Sequence, residues 1–123
     1  RNMSSAASDV YKRQLHSGVL HTLNTIARVA SDNNTPLTLC GELAGEIEFA
    51  PILLGLGYTH LSMNASTIPW VKAAVSQLDR QLCSDLVAEL LTTDRMEERA
   101  AKLIVFCEQH FPKDLLELGQ HIL

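Results

Sequence analysis

What this sequence has little of narrows its possible roles quickly. It lacks a basic surface: 10 lysines and arginines stand against 14 aspartates and glutamates across 123 residues, a net charge of −4 at pH 7 with histidine neutral. The tightest basic cluster is the pair Lys12 and Arg13. With no basic stripe to release counterions from phosphates, charge argues against nucleic acid as a partner. A small phosphate held by local groups is still compatible with this balance. Apolar runs are short as well. Even "FAPILLGLGY", Phe49 to Tyr58, falls below the ~18 residues a membrane span needs, so no membrane partner is expected. No apolar h-region precedes the rest of the chain, which leaves a secretory signal without support. Cysteine is scarce: Cys40, Cys83 and Cys107 show no short repeat spacing, which suggests neither a disulfide framework nor a zinc site and makes a reducing cytoplasm the expected compartment. Gly55 and Gly57 lack the third glycine of a dinucleotide fingerprint and read as turn chemistry.

Residues 1–14 stand apart from the rest of the chain. "SSAASDVYKRQ", Ser4 to Gln14, is what a common sequencing-library transposon adaptor yields on translation, so 1–14 is expected to be a non-native segment rather than a targeting peptide. The protein proper is then 15–123, expected to be the tail of something longer. Three basic residues (Arg1, Lys12, Arg13) and one acidic residue (Asp9) leave with the segment, so the net charge deepens from −4 to −6. No internal repeat, low-complexity tract or flexible linker interrupts the remainder.

Within it, Val19, Leu20, Leu23, Ile26, Ala27 and Ala30 recur at helical spacing, with Ser17 as a candidate N-cap and Asp32-Asn33-Asn34 as the exit. Pro36 then precedes "LTLC", Leu37 to Cys40, whose length and lack of alternation suit a parallel strand covered on both sides. Phe49 to Leu56 reads as a short helix that tolerates Pro51 only in its first turn and stops at Gly57. "THLSM", Thr59 to Met63, is a second short strand. Ser66 is placed to cap a helix through Ile68, Val71, Ala74, Val75 and Leu78 with Pro69 in its first turn. This alternation is the pattern of parallel α/β folds.

From Asp79 onward the pattern is wholly helical. Leu82, Leu86 and Leu90 form a stripe, and Asp94 with Glu97 resembles a capping box ahead of Met96, Ala100, Leu103 and Cys107. Pro112 ends that helix, and Leu115, Leu116, Leu118 and Ile122 suggest a last one. From the residues alone, Cys40 is either a small buried hydrophobe or a reactive thiol where a strand runs out. Cys83 and Cys107, on helical segments, read as structural. Trp70 and Phe106 read as packing, and His16, His21, His60, His110 and His121 carry no specific assignment.

The stretch "LHSGVLHTLNTIARVASDNNTPLTLCGELAGEIEFAPILLGLGYTHLSMNASTIPWVK" resembles the carboxy-terminal part of the phosphoenolpyruvate-utilising enzymes, most closely Enzyme I of the phosphotransferase system. The resemblance runs from Leu15 to about Leu78 and rests on "CGELAG", "ILLGLG" and "LSMN" in that order. Ser17, Gly18 and Glu46 depart from the usual family residues, at positions expected to be exposed or capping. The resemblance implies that 15–78 supplies the last two β/α units of a phosphoenolpyruvate-binding (β/α)8 (TIM) barrel, with 79–123 as carboxy-terminal helices of the same domain. Barrel active sites lie at the carboxyl ends of strands, so it implies that Cys40 is a proton donor to the enolate left when phosphoenolpyruvate gives up its phosphoryl group. A thiol of ordinary pKa, ~8.5, is mostly protonated at neutral pH yet close enough to it to act as a general acid. Gly41 and Glu42 are then substrate-adjacent, the one leaving space, the other orienting the thiol.

It further implies a phosphocarrier protein as partner, a homodimeric parent, and Mg2+ held by acidic residues on earlier strands, together with phosphate-gripping arginines that are also outside this chain. The phosphorylated histidine of the family belongs to another domain. A piece holding only the proton donor is expected to be inactive by itself. The alternatives are a stand-alone helical interaction module, or part of pyruvate phosphate dikinase or phosphoenolpyruvate synthase. The isolated chain is expected to be mostly helical but loosely packed around Leu37 to Met63, with an apolar face left bare beside its two strands.

Overall fold

The computed structural model describes the backbone of residues 15–122 and side chains through Glu117. The segment 1–14 read as an adaptor lies outside the described residues. The chain is mostly helical with one small sheet.

Helix α1 spans Ser17–Asp32. His16, not Ser17, occupies the N-cap: its Nδ1 accepts the Gly18 N–H at 3.0 Å, which makes Ser17 the first helical residue. Leu20 and Ala27 are buried, with Leu23 and Ala30 half-buried along the same stripe. Val19 and Ile26 are 38% and 45% exposed. They sit about 100° round from that stripe, and no described element covers them. The tyrosyl hydroxyl of Tyr58 donates to the Leu23 carbonyl at 2.9 Å and pins α1 to the rest. Beyond Asp32 the chain reverses through Asn34, whose φ of 51° lies in the left-handed region that asparagine tolerates.

Two three-residue strands, β1 (Thr38–Cys40) and β2 (His60–Ser62), pair in parallel with Cys40 opposite Ser62. Helix α2, Ala50–Leu56, lies between them in the chain, with Pro51 in its first turn and Gly57 (φ 99°) as its left-handed stop. Leu39 and Leu61 point toward the helices and pack on the core, while Thr38, Cys40, His60 and Ser62 are exposed on the other face. The expectation of strands covered on both sides is therefore corrected, and so is that of a bare apolar face. The period-2 alternation of a strand places hydroxyls, a thiol and an imidazole there instead.

Within the range Leu37 to Met63, expected to pack loosely, the segment between the two strands is well buried. Ile47, Phe49, Ile52, Leu53 and Tyr58, all inside that range, are among the most buried residues described. The reason is α4, Arg80–Leu91, the main partner of α2. At their crossing a Cβ on Gly55 would lie 2.3 Å from the Cys83 carbonyl oxygen and 2.7 Å from Val87 Cγ2. Gly55 is thus a contact residue in the last turn of α2, not a turn residue.

The buried stripe of α4 is Cys83, Leu86, Val87 and Leu90, at i, i+3, i+4 and i+7. Leu82, expected in that stripe, is 44% exposed because it precedes Cys83 by one position and points off the seam. Asp79 caps α4, its Oδ1 accepting the Leu82 N–H at 3.0 Å.

Helix α3, Ile68–Ser76, starts from Thr67 with Pro69 in its first turn; Ser66 makes no cap, since it lies one residue too early. Helix α5, Met96–His110, starts from Arg95 for the same reason, so the Asp94–Glu97 box does not form. Arg99 on α5 is buried and donates to the carbonyls of Leu15 (2.6 Å) and Thr93 (2.5 Å), which gives its Nε and Nη1 groups partners inside the fold. After Phe111 and Pro112, α6 (Lys113–Ile122) buries Leu115 and Leu116; the side chains of Leu118 and Ile122 lie outside the described residues.

Candidate functional site

The site forms where both strands end. β1 stops at Cys40, and Gly41 follows at φ 104°, a conformation that a side chain would strain. A Cβ there would meet nothing within 4 Å, so the need for glycine is conformational and the space beside it is open. The chain then winds through 3₁₀ turns at Glu42–Gly45 and Ile47–Phe49 before α2. Gly45 lets the two strand-end loops approach closely: a Cβ at this position would stand 3.1 Å from Thr67 Cγ2.

Between these loops lies an open cavity of about 550 Å³, lined by Gly41, Glu42, Gly45, Glu46, Ser62, Met63, Asn64 and Thr67. Of the sequence-expected site residues, Gly41 and Glu42 line it directly. Cys40 does not; its side chain is exposed on the strand face immediately beside it. Glu46, expected at an exposed or capping position, is only 5% exposed and forms part of the wall. The 3₁₀ winding turns it inward, a consequence that its charge alone does not suggest. Ser62, Asn64 and Thr67 carried no site assignment from the sequence. The parallel register, which puts Ser62 level with Cys40, is visible only in the structure.

The lining holds two carboxylates and neither lysine nor arginine. It can offer oxygen and amide contacts, but the charge needed to grip a phosphate has to come from elsewhere. Among the described residues no three histidine, cysteine, aspartate or glutamate side chains converge as a metal site.

The other thiols differ sharply from Cys40. Cys83 and Cys107 are buried, and Cys107 Sγ donates to the Glu48 carbonyl at 3.5 Å. Burial, and then the negative charge of Asp79, push the Cys83 thiol up to about 11. Burial likewise raises the Tyr58 phenol. Trp70 and Phe106 are half-buried against the core, Phe106 with its ring 4.2 Å from that of His110. His60 Nδ1 lies 2.9 Å from Thr59 Oγ1.

The arrangement is thus a thiol at a strand end beside a loop-built cavity, at the carboxyl edge of a parallel sheet. Residues 1–80 match the family of PEP-utilising enzymes, PEP-binding domain, and this chain belongs to that family. The match begins inside the segment read as an adaptor. Over 119 residues, 97% of the chain, it is 35% identical to the "Phosphoenolpyruvate-dependent phosphotransferase system" protein of Salmonella typhimurium, of which it covers 16%. It is 35% identical over 99 residues to "Multiphosphoryl transfer protein 1" of Escherichia coli K12, covering 80% of the chain and 12% of that protein. To "Phosphoenolpyruvate-protein phosphotransferase" of Haloferax volcanii it is 37% identical over 82 residues, 67% of the chain and 14% of the relative. The chain therefore spans about one-seventh of the length of these relatives.

Proposed function

We propose that this chain is the carboxy-terminal portion of a phosphoenolpyruvate-protein phosphotransferase, and that Cys40 protonates the enolate released when the phosphoryl group leaves phosphoenolpyruvate. The observation that carries the reading is the placement of Cys40. It ends β1, it is exposed on the helix-free face of the sheet, and its neighbours Gly41 and Glu42 line the cavity at the strand ends. That face suits the interior of a (β/α)8 barrel of which β1 and β2 are the last two strands, since barrel chemistry sits at carboxyl strand ends.

The proton step is simple. The Cys40 S–H bond breaks, the enolate's π electrons form a C–H bond at the methylene carbon, the ketone of pyruvate is restored, and the sulfur keeps its electron pair as thiolate. Water reprotonates the thiolate before the next turnover. The open space beside Gly41 admits the methylene carbon to the thiol.

In this reading the remainder of the parent supplies the arginines that hold phosphate and carboxylate, the acidic ligands for Mg2+, and the histidine that receives the phosphoryl group. A phosphocarrier protein takes it onward, the parent works as a homodimer in the cytoplasm, and the isolated chain is inactive. Phosphoryl transfer depends mainly on positioning and charge stabilisation, and this cavity wall carries the wrong sign of charge to do that unaided.

The test is Cys40→Ala in the complete phosphotransferase. Phosphoryl exchange between phosphoenolpyruvate and the protein should persist while pyruvate formation falls by about two to four orders of magnitude, the span of general acid catalysis. Cys83→Ala and Cys107→Ala should leave turnover intact. Pyruvate formation at the wild-type rate by Cys40→Ala would remove Cys40 from the mechanism.

A further inference from the structure

One hydroxyl stands level with the thiol and also at the cavity wall. Ser62 is the register partner of Cys40 across the parallel pair, where neighbouring strands run about 4.8 Å apart. Both residues are exposed on the same face of the sheet. Ser62 also lines the cavity, which Cys40 does not. Among the described residues the Ser62 hydroxyl has no hydrogen-bond partner, so a turn about χ1 can aim it at the sulfur or into the cavity.

We propose that Ser62 is a positioning residue for Cys40: its hydroxyl accepts the S–H before proton transfer and donates to the thiolate after it. The inference rests on the reading of Cys40 as proton donor and deepens it. Chemistry selects a hydroxyl for this place. It is both donor and acceptor, so one group serves both states of the sulfur without moving far. Glu42, the sequence-based candidate for orienting the thiol, is less suited. An ionised carboxylate only accepts hydrogen bonds, its charge opposes a neighbouring thiolate, and the turn at Gly41 carries it off the strand. Thr38 and His60 pair with each other at the opposite end of the ladder, two residues back from the cavity.

The step stays balanced. Cys40 loses its proton to the enolate carbon, Ser62 keeps its own and lends it as a hydrogen bond, and water restores the thiol.

The experiment compares Ser62→Ala, Ser62→Thr and Cys40→Ala in the complete enzyme, following pyruvate formation and phosphoryl exchange separately. Loss of one hydrogen bond to a charged group corresponds to about a ten- to hundredfold slowing of pyruvate formation in Ser62→Ala. Exchange should continue at the wild-type rate, and Ser62→Thr, which keeps the hydroxyl, should recover most of the loss. Pyruvate formation unchanged in Ser62→Ala, beside a collapse in Cys40→Ala, overturns the role of Ser62 alone. Equal losses in the alanine and threonine variants, with exchange falling too, show a purely structural serine and overturn it as well. An active Cys40→Ala instead removes the reading of Cys40 on which the inference stands.

Discussion

Cys40 and Cys83 have the same side chain and opposite surroundings, and the two regions around them differ in the same way. Cys40 ends a three-residue strand with one polar, exposed face and a single paired neighbour. Cys83 lies on the buried seam of α4, its backbone carbonyl pressed against Gly55 and its thiol pushed up to about 11. A thiol meant for proton traffic has to reach solvent and substrate; one meant for packing is best kept neutral and out of reach. The chain therefore divides its labour: the α2–α4 contact carries the packing, and the strand ends leave polar side chains and a thiol exposed beside the cavity.

Hydrogen exchange gives the largest expected contrast. The strands pair only with each other among the described residues and leave open edges. Amides of Leu39 and Cys40 should exchange at least about a hundredfold faster than those of Leu86 and Leu90, because local opening exposes the former without unfolding the helices. Equal protection in a monomer would show that the strands belong to the same cooperative unit as α4, and the division of labour would fail.

Much of this was legible in the sequence. Each expected helix exists, because 3.6-residue periodicity over eight or more positions admits few alternatives, and both strands fall inside their expected ranges. Periodicity says less about which flank of a stripe a neighbour will cover, so Leu82 and Ile26 were counted inward. Caps depend on a single-residue offset, and Ser17, Ser66 and Asp94 each missed by one. Gly55 is silent in one dimension, since its meaning is the carbonyl of Cys83, 28 positions away. Motif and family likeness marked Cys40, Gly41 and Glu42. The level pairing of Ser62 needs the register of two parallel strands, which composition does not encode.

The next largest effects separate packing from polarity within the helical region. Gly55→Ala forces a methyl group into backbone that cannot rotate away, so α2 and α4 must part; a loss of about 1–3 kcal/mol is expected from overpacking. Chemical denaturation reads it out, and an unchanged midpoint would mean that the helices cross with slack. Glu48 should move the other way. It is 2% exposed, and neither carboxyl oxygen has a hydrogen-bond partner among the described residues. Glu48→Met, which keeps the bulk and removes the polar atoms, should stabilise the chain by about 1–3 kcal/mol, the usual cost of an unsatisfied buried group. A loss of stability would show that the carboxyl is compensated.

The smallest effect ties a helix cap to the thiol beneath it. Removing the Asp79 side chain in Asp79→Ala frees the Leu82 N–H and should cost about 1 kcal/mol near neutral pH. The gap should then narrow as pH rises. In the wild-type chain the folded Cys83 thiol holds its proton up to about 11, against a reference value of 9.0 when exposed. Its contribution to stability is therefore fully present below about pH 9 and is lost as pH climbs toward 11, because the unfolded chain releases its proton first. Burial is the larger cause and survives the substitution. The charge of Asp79 is the lesser cause and does not, so the variant loses less stability across that window than the wild type. Denaturation midpoints of both proteins, measured from neutral pH to pH 11, should converge. If they run parallel, Asp79 acts on α4 as a cap alone and its charge is not felt at the buried sulfur.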